Sequence, residues 1–423
     1  MSVLRIVCFL LVLGLGAAGA APAARAQPKA PMPRLFGFGR AKQQHTRVPV
    51  QLQRNLLVVS VLLNNSGPYN FLLDTGVGIS LITDPAVANT LRLRHGEQFR
   101  VVGAGGTDTG LLAYQADSVR LTLAGVVAPA MSLLVLSEDV LNLSGYVGLP
   151  IHGILGSELF NSFVVALHPE EGYLTLSAPA AYRAPQGKRW SSVPLSLENN
   201  KAYFTAPVQL SDSLTLPLKL VLDTGASHAL SLETDSDPRL TGPARRLPAD
   251  LGRGLSGLVR GYLGRVLTLH LGRYTLRSVV TSFPEAAYVH RRVDVPRNGN
   301  VGYELLKRFS LVIDYPHQRL LLRPNVAFAD AFEHDMSGLD LLATGSEYRR
   351  YLIMRVEPGS PADLAGLEPD EELLTINLIP ASGFSLTQLG RLLHSGDGRM
   401  LLLVLRRSNG ELHTTTLRLK RQI

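Results

Sequence analysis

An internal repeat constrains this chain more than any other feature. The first copy opens with Val48-Pro49-Val50-Gln51-Leu52, the apolar run Leu56–Leu63, a turn at 64–67 and then Phe71-Leu72-Leu73-Asp74-Thr75-Gly76. The second opens with Val193-Pro194-Leu195-Ser196-Leu197 and reaches Leu220-Val221-Leu222-Asp223-Thr224-Gly225. Both copies also close alike. Gly153-Ile154-Leu155-Gly156-Ser157-Glu158-Leu159-Phe160 precedes an apolar strand at 163–167, and Gly299-Asn300-Val301-Gly302-Tyr303-Glu304-Leu305-Leu306 precedes one at 309–313. Asp74 stands 82 residues before Gly156, and Asp223 stands 79 before Gly302. Two anchors in one order at nearly one spacing define two homologous lobes. They are expected at 46–180 and 190–325, joined by a Pro/Ala/Gly-rich connection near 178–192 that holds the single Trp190. Apolar alternation broken by Gly and Asn turns predicts strands within them.

A third unit, at 336–421, carries other signals. Ser360-Pro361 reads as an N-cap with proline at the first helical position, and Gly366 closes that short helix. Ser385-Leu386-Thr387-Gln388 is a capping-box start for a helix to about 394. Residues 400–407 and 412–420 alternate as strands around Asn409-Gly410, a hairpin turn. Strands with two short helices make a small α+β module.

An Asp at the end of an apolar strand, followed by Thr and Gly, sits in a tight loop that glycine lets turn. One copy of Asp-Thr-Gly is an ordinary turn more often than a site. Two copies at the same point of a repeated lobe are different. Pseudo-twofold packing would bring Asp74 and Asp223 together, where like charges at contact distance cannot both ionise cheaply. The pair would share a proton, one carboxylate acting as base on a water and the protonated one polarising a carbonyl. Such a dyad predicts a bell-shaped pH profile, expected from sequence to centre below neutrality.

The duplicated lobes resemble pepsin- or retropepsin-like aspartic proteases, and the last unit resembles a PDZ domain. Together they are similar to bacterial exported aspartyl proteases with a PDZ module, over about residues 46–420. The resemblance implies a mainly β, bilobal fold of double-β lobes followed by a PDZ-like α+β domain. It implies that Asp74 and Asp223 are catalytic and that Thr75 and Thr224 lock the active-site loops, which also include Gly76, Gly225 and Ser227. A hydrophobic-hydrophobic-Gly segment should thread behind each loop. Ile154-Leu155-Gly156 fits; Asn300-Val301-Gly302 departs, with Asn in an apolar place. In the family a Ser or Thr two residues after the Gly bonds the outer carboxylate oxygen. Ser227 matches this and Gly78 does not, which makes Asp74 the candidate for the protonated partner.

Substrate cover is expected from hairpins resembling the family's flaps: 103–106, with Gly105 and Gly106, and 252–257 in the second lobe. Tyr114 is either a flap aromatic or a packed strand residue. In the PDZ-like unit the peptide-receiving loop and strand are placed at Arg350, Tyr351, Leu352, Ile353 and Met354, opposite Leu389 on the helix. A C-terminal peptide would add there as a strand. Arg349-Arg350 replace the usual carboxylate-loop glycine, and Asp370 and Leu378 replace two others.

Composition narrows the alternatives. The net charge of +8 is spread singly or in pairs and aromatics are only 6%, so the chain lacks the basic, aromatic-interleaved stripe of a nucleic-acid binder. The His residues form no metal-ligand pattern, no Gly-x-Ser-x-Gly elbow occurs, and no cofactor motif is present. Arg5, the apolar run at 6–15 and Ala24-Arg25-Ala26 read as a signal peptide over 1–26, followed by a flexible lead-in over 27–45. That run is about half the ~20 residues a membrane span needs, so the mature chain is expected to be periplasmic or secreted, without an integral span. The only cysteine, Cys8, falls in the leader, so thiol chemistry is excluded from the mature chain. The expected function is an exported aspartic endopeptidase acting on a peptide or protein substrate, its PDZ unit recruiting or gating. The alternative is a peptide-binding protein on the same scaffold that does not cut.

Overall fold

The computed structural model describes residues 35–101, 103–106, 110–289 and 295–423. The leader expected at 1–26 and the first part of the lead-in lie outside the described residues. The rest of the lead-in is ordered: Phe36 is buried in the core, Gly37–Phe38 pairs with Val126–Leu136, and His45–Pro49 pairs with Tyr173–Ser177. The expectation of a flexible 27–45 is corrected over that stretch. The apolar Phe36 finds a hydrophobic site, which composition alone does not reveal.

Repetition in sequence becomes repetition in topology. In the first lobe Leu56–Leu63 pairs antiparallel with Ser66–Leu73, the strand that delivers Asp74. Gly153–Leu155 then runs parallel to the end of that strand and antiparallel to Leu81–Ile82. The second lobe repeats each step. Lys201–Ser211 pairs with Leu214–Leu222, and Gly299–Val301 passes between Leu222 and Leu230–Leu232 in the same two senses. Close packing explains the repeated glycine ending the threading segments. A Cβ on Gly156 would lie 2.7 Å from the Val77 carbonyl oxygen, and one on Gly302 would lie 2.2 Å from that of His228.

A third sheet joins the lobes. Val164–His168 of the first pairs antiparallel with Phe309–Asp314 of the second, in register Val165 with Ile313 and Leu167 with Leu311. Tyr173–Ser177 extends the sheet on one side, and Arg319–Pro324 with Ser191–Pro194 on the other. The connection packs on this sheet through Tyr182, Ala184 and Trp190, as a structural role for Trp190 requires. One apolar core runs through both lobes, including Leu73, Phe160, Leu222, Tyr303 and Tyr315.

The C-terminal unit is a sheet in the order Leu339–Thr344, Arg350–Val356, Glu372–Ile376, Met400–Arg406, Leu412–Arg418. Ser360 caps Pro361–Leu364, and both bonds of the Ser385/Gln388 capping box form at the start of Leu386–Leu393. The order corrects one expectation. Arg350–Val356 is flanked on both sides, Leu352 pairing with Leu342 and with Glu372, so it has no free edge for a peptide. The edge strand on this side is Leu339–Thr344, and Leu412–Arg418 forms the opposite edge. Leu339–Thr344 and Arg350–Val356 are both apolar and similar in length, and alternation does not say which lies outside.

Asp370, Asn377 and Leu378 have φ of 69°, 51° and 66°, the left-handed region that glycine occupies without strain. Leu378 is 75% exposed and loses little packing if truncated. Leu378→Gly is therefore expected to stabilise the domain by about 1 kcal/mol, read as a higher denaturant midpoint. A lower midpoint would contradict the left-handed turn.

Candidate active site

The two Asp-Thr-Gly loops meet at the lobe interface. Each Asp is anchored by its threading segment, Asp74 N–H donating to Leu155 O and Asp223 N–H to Val301 O, both at 3.0 Å. The threonines cross over. Thr75 Oγ1 donates to Leu222 O at 2.7 Å and accepts from Thr224 N at 2.9 Å. Thr224 Oγ1 donates to Leu73 O at 2.9 Å and accepts from Thr75 N at 3.1 Å. This is the lock that the resemblance implies, with four bonds between side chains and backbone that lie wholly in the interior.

The glycines allow the carboxyls to converge. A Cβ on Gly76 would sit 2.8 Å from Asp223 Oδ1, and one on Gly225 would sit 2.1 Å from the Asp74 carboxyl. Within its own loop, Gly76 N–H donates to Asp74 Oδ1 at 2.7 Å. Asp74 Oδ2 and Asp223 Oδ1 accept no hydrogen bond from the described residues. Two buried carboxyls, each with one oxygen unengaged, face one another across the interface.

Their electrostatics are unequal. Burial, then the Asp223 charge, pushes the Asp74 carboxyl well above the ordinary carboxylate range. Burial also raises Asp223, to about 6, but a hydrogen bond from Asn300 and the Arg297 and Lys201 charges hold it down. Asn300 Nδ2 donates to Asp223 Oδ2 at 2.7 Å, and Asn300 Oδ1 lies 3.2 Å from His228 Nε2. In the sequence Asn300 stands out only as a departure from an apolar pattern. Its signal was a polar residue where the first lobe has Ile154, two residues before a glycine packed behind an acid.

Ser227 does not take the place expected for it. Its hydroxyl shares a 3.2 Å bond with the Tyr146 hydroxyl, and Asn300 supplies the donor to Asp223 instead. Tyr146 lies on the helix Leu143–Val147 of the other lobe, close in space and far in sequence. Asn55 Nδ2 also donates to Ser227 O at 3.1 Å. At the matching point of the first loop, Gly78 sits under Asn199 and Asn200, with the Lys201 chain just beyond.

The Gly-rich hairpins meet tip to tip. Gly103 N–H donates to Ser256 Oγ at 3.2 Å, and Ser256 N–H donates to Ala104 O at 3.1 Å. Gly105, at φ 135°, lies so close to Ser256 that a Cβ would overlap its backbone, while Gly106 approaches the Tyr288 ring. Leu255 packs on the first-lobe cluster holding Val77, next to the Asp74 loop. Part of the first tip, at 102 and 107–109, lies outside the described residues. Tyr114 is not at the tip. It pairs with Gln98 within the strand Leu111–Leu123 and stacks on His95 with centroids 3.6 Å apart, the packed-strand alternative.

The expected peptide residues of the PDZ unit are used internally. Arg350 forms a two-pronged pair with Glu372, and Tyr351 donates to Phe384 O at 2.6 Å. Ile353 and Leu389 belong to the domain's core, and Leu352 is held in the sheet between Leu342 and Glu372. The edge strand on that side, Leu339–Thr344, is covered by the first lobe. Arg54 Nη1 donates to Leu341 O at 3.3 Å, and Leu342 and Leu386 lie against Gly145 and Gly148 at the helix Leu143–Val147. Arg54 N–H donates to Thr387 Oγ1 at 2.9 Å, at the start of the PDZ helix.

A raised folded-state pKa favours the protonated fold, so its stabilising effect is complete below the unfolded value near 3.9 and fades as pH rises through the folded value. Both acids behave this way. Asp74→Asn is therefore expected to leave stability nearly unchanged at pH 4 and to raise the melting temperature by about 5 °C at pH 7. A constant difference at all pH values would contradict the burial argument.

Residues 59–159 match the family model described as aspartyl protease, and residues 352–407 match that of the PDZ domain. No curated protein matches the chain. Among solved structures, the aspartic proteinase from Irpex lacteus aligns over 68% of this chain and 99% of its own, at 16% identity and a TM-score of 0.42. The photosystem II D1 C-terminal processing protease aligns over 20% of this chain at 22% identity and a TM-score of 0.19, and the chain spans about a fifth (22%) of its length. Among the described residues no helix is long and apolar enough to cross a membrane. The chain thus carries a stretch similar to aspartyl proteases at 59–159, followed by one similar to PDZ domains at 352–407.

Proposed function

We propose that this chain is an exported aspartic endopeptidase in which Asp74 and Asp223 together activate one water. The carrying observation is the threonine lock, which holds two buried carboxyls against each other with Asp74 Oδ2 and Asp223 Oδ1 unengaged. Ionised Asp223 takes a proton from the water as its oxygen bonds the scissile carbonyl carbon. Asp74 gives its proton to the carbonyl oxygen. In the collapse of the adduct the C–N bond breaks, the leaving nitrogen takes the proton from Asp223, and a hydroxyl proton of the adduct returns to Asp74. One proton sits on the pair at the start and at the end. Export rests on the leader pattern at 1–26.

Asp74→Asn or Asp223→Asn is expected to abolish cleavage of a mixed peptide library while the fold survives. Near-normal cleavage by either folded variant would reject the dyad. The pH profile is expected to be a bell, but burial moves it upward from the range expected from sequence. Below about pH 6 Asp223 protonates, the base is lost, and the rate falls. A rate still rising toward pH 4 would contradict this.

The PDZ domain is best read as a gate. A ligand adding a strand to Leu339–Thr344 must displace Arg54 and the helix Leu143–Val147. Both lead to the second active-site loop: Asn55, beside Arg54, bonds Ser227 O, and Tyr146 bonds Ser227 Oγ. Removing the cover should lower the conformational cost of binding. Arg54→Ala is expected to bind a peptide with an apolar C-terminal residue about tenfold more tightly than the parent, an effect of ~1.4 kcal/mol, by fluorescence anisotropy. Unchanged affinity would reject occlusion.

A further inference from the structure

The lobes repeat in sequence and topology, yet one polar pair occurs in only one of them. Asn300 occupies the position of Ile154, and His228 the position of Ile79. Asn300 is fully buried on a strand between Leu214–Leu222 and Leu230–Leu232. A buried amide costs stability unless its hydrogen bonds are made. This one makes them, donating from Nδ2 to Asp223 Oδ2 at 2.7 Å while Oδ1 faces His228 Nε2 at 3.2 Å. Since the Nδ2 side donates to the acid, Oδ1 must accept, which puts the His228 proton on Nε2. Loss of water around the ring pushes His228 down to about 4, so the imidazole is neutral and this orientation persists through the working range.

We propose that Asn300 is a positioning residue of the dyad: oriented by His228, its amide fixes Asp223 as the ionised base and leaves the shared proton to Asp74. Resting on the dyad reading above, the assignment adds which carboxyl is which and what decides it. Among the described residues Asp74 has no equivalent side-chain donor, because the residue behind its loop is Ile154 and the residue two after its glycine is Gly78. The other groups that act on Asp223 are Asp74, the Gly225 N–H, the cations Arg297 and Lys201, and the Tyr315 phenol. None of these changes when Asn300 is replaced, so a change in the profile reports on the amide. A hydrogen bond to a carboxylate favours its charged form. Its loss therefore moves the protonation of Asp223 to higher pH, and with it the acid limb of the bell.

The test is the pH dependence of kcat/KM for the full chain, for Asn300→Leu, which removes the amide without adding a charge, and for the double variant Asn300→Ile with His228→Ile, which rebuilds the apolar pair of the first lobe. Asp223→Asn is measured alongside. The acid limb is expected to move up by about one pH unit or more in both Asn300 variants. Activity should fall about tenfold at the acid end, with the loss shrinking as pH rises. An unmoved limb in either folded variant, with Asp223→Asn inactive, overturns the role of Asn300 and leaves the dyad standing. A loss equal at all pH values, the mark of a merely structural residue, overturns it too. Cleavage by Asp223→Asn removes the dyad reading itself, and the inference with it.

Discussion

The rest of the structure depends on the reciprocal bonds of Thr75 and Thr224. Each hydroxyl donates to a backbone carbonyl of the opposite lobe and accepts the other threonine's N–H. These are short bonds in a dry interior, where leaving any partner unpaired costs about 1–3 kcal/mol. They therefore set the lobe interface to a single register. Convergence of the two acids follows from that register, because Gly76 and Gly225 present bare backbone to the opposite carboxyl. The juxtaposition of the two carboxyls therefore comes from the threonines.

Around that symmetric lock the surroundings are unequal. The first loop receives Asn199, Asn200 and Lys201 from the second lobe's hairpin turn, and the second loop receives Asn55 from the equivalent turn of the first. The two turns are related by the same pseudo-twofold as the acids, but they deliver different side chains. Only one of them, through Arg54, also reaches the PDZ domain. Duplication supplied two equivalent half-sites, and divergence of a few polar residues gave them different electrostatics and different neighbours.

Much of this was legible in the sequence. The duplicated lobes, the placement of both acids, the threading glycines, the capping box at Ser385 and the Asn409-Gly410 hairpin each depend on local residue order, and each is found where that order put it. What was not legible depends on tertiary neighbours. Ser227 has the right residue type for bonding Asp223, but Tyr146 claims its hydroxyl. Asn300 looks like a flaw in an apolar segment until its amide is seen on the acid. The PDZ edge strand is not legible because both 339–344 and 350–356 are apolar, and only sheet order separates them. The ordered stretch around Phe36 sits in Pro- and Gly-rich sequence whose composition suggested flexibility.

The sheet that joins the lobes has a mechanical consequence. Val164–His168 and Phe309–Asp314 are laced by a backbone ladder, so the lobes cannot swing apart at their base without tearing a row of hydrogen bonds. At the opposite extreme the hairpin tips are held by the bonds of Ser256 to Gly103 and Ala104, the approach of Gly105 to Tyr288, and the packing of Leu255. Stiffness therefore falls steeply from base to tips. The molecule is a frame laced at its base and latched at its tips, so displacing the tips breaks fewer hydrogen bonds than displacing the base.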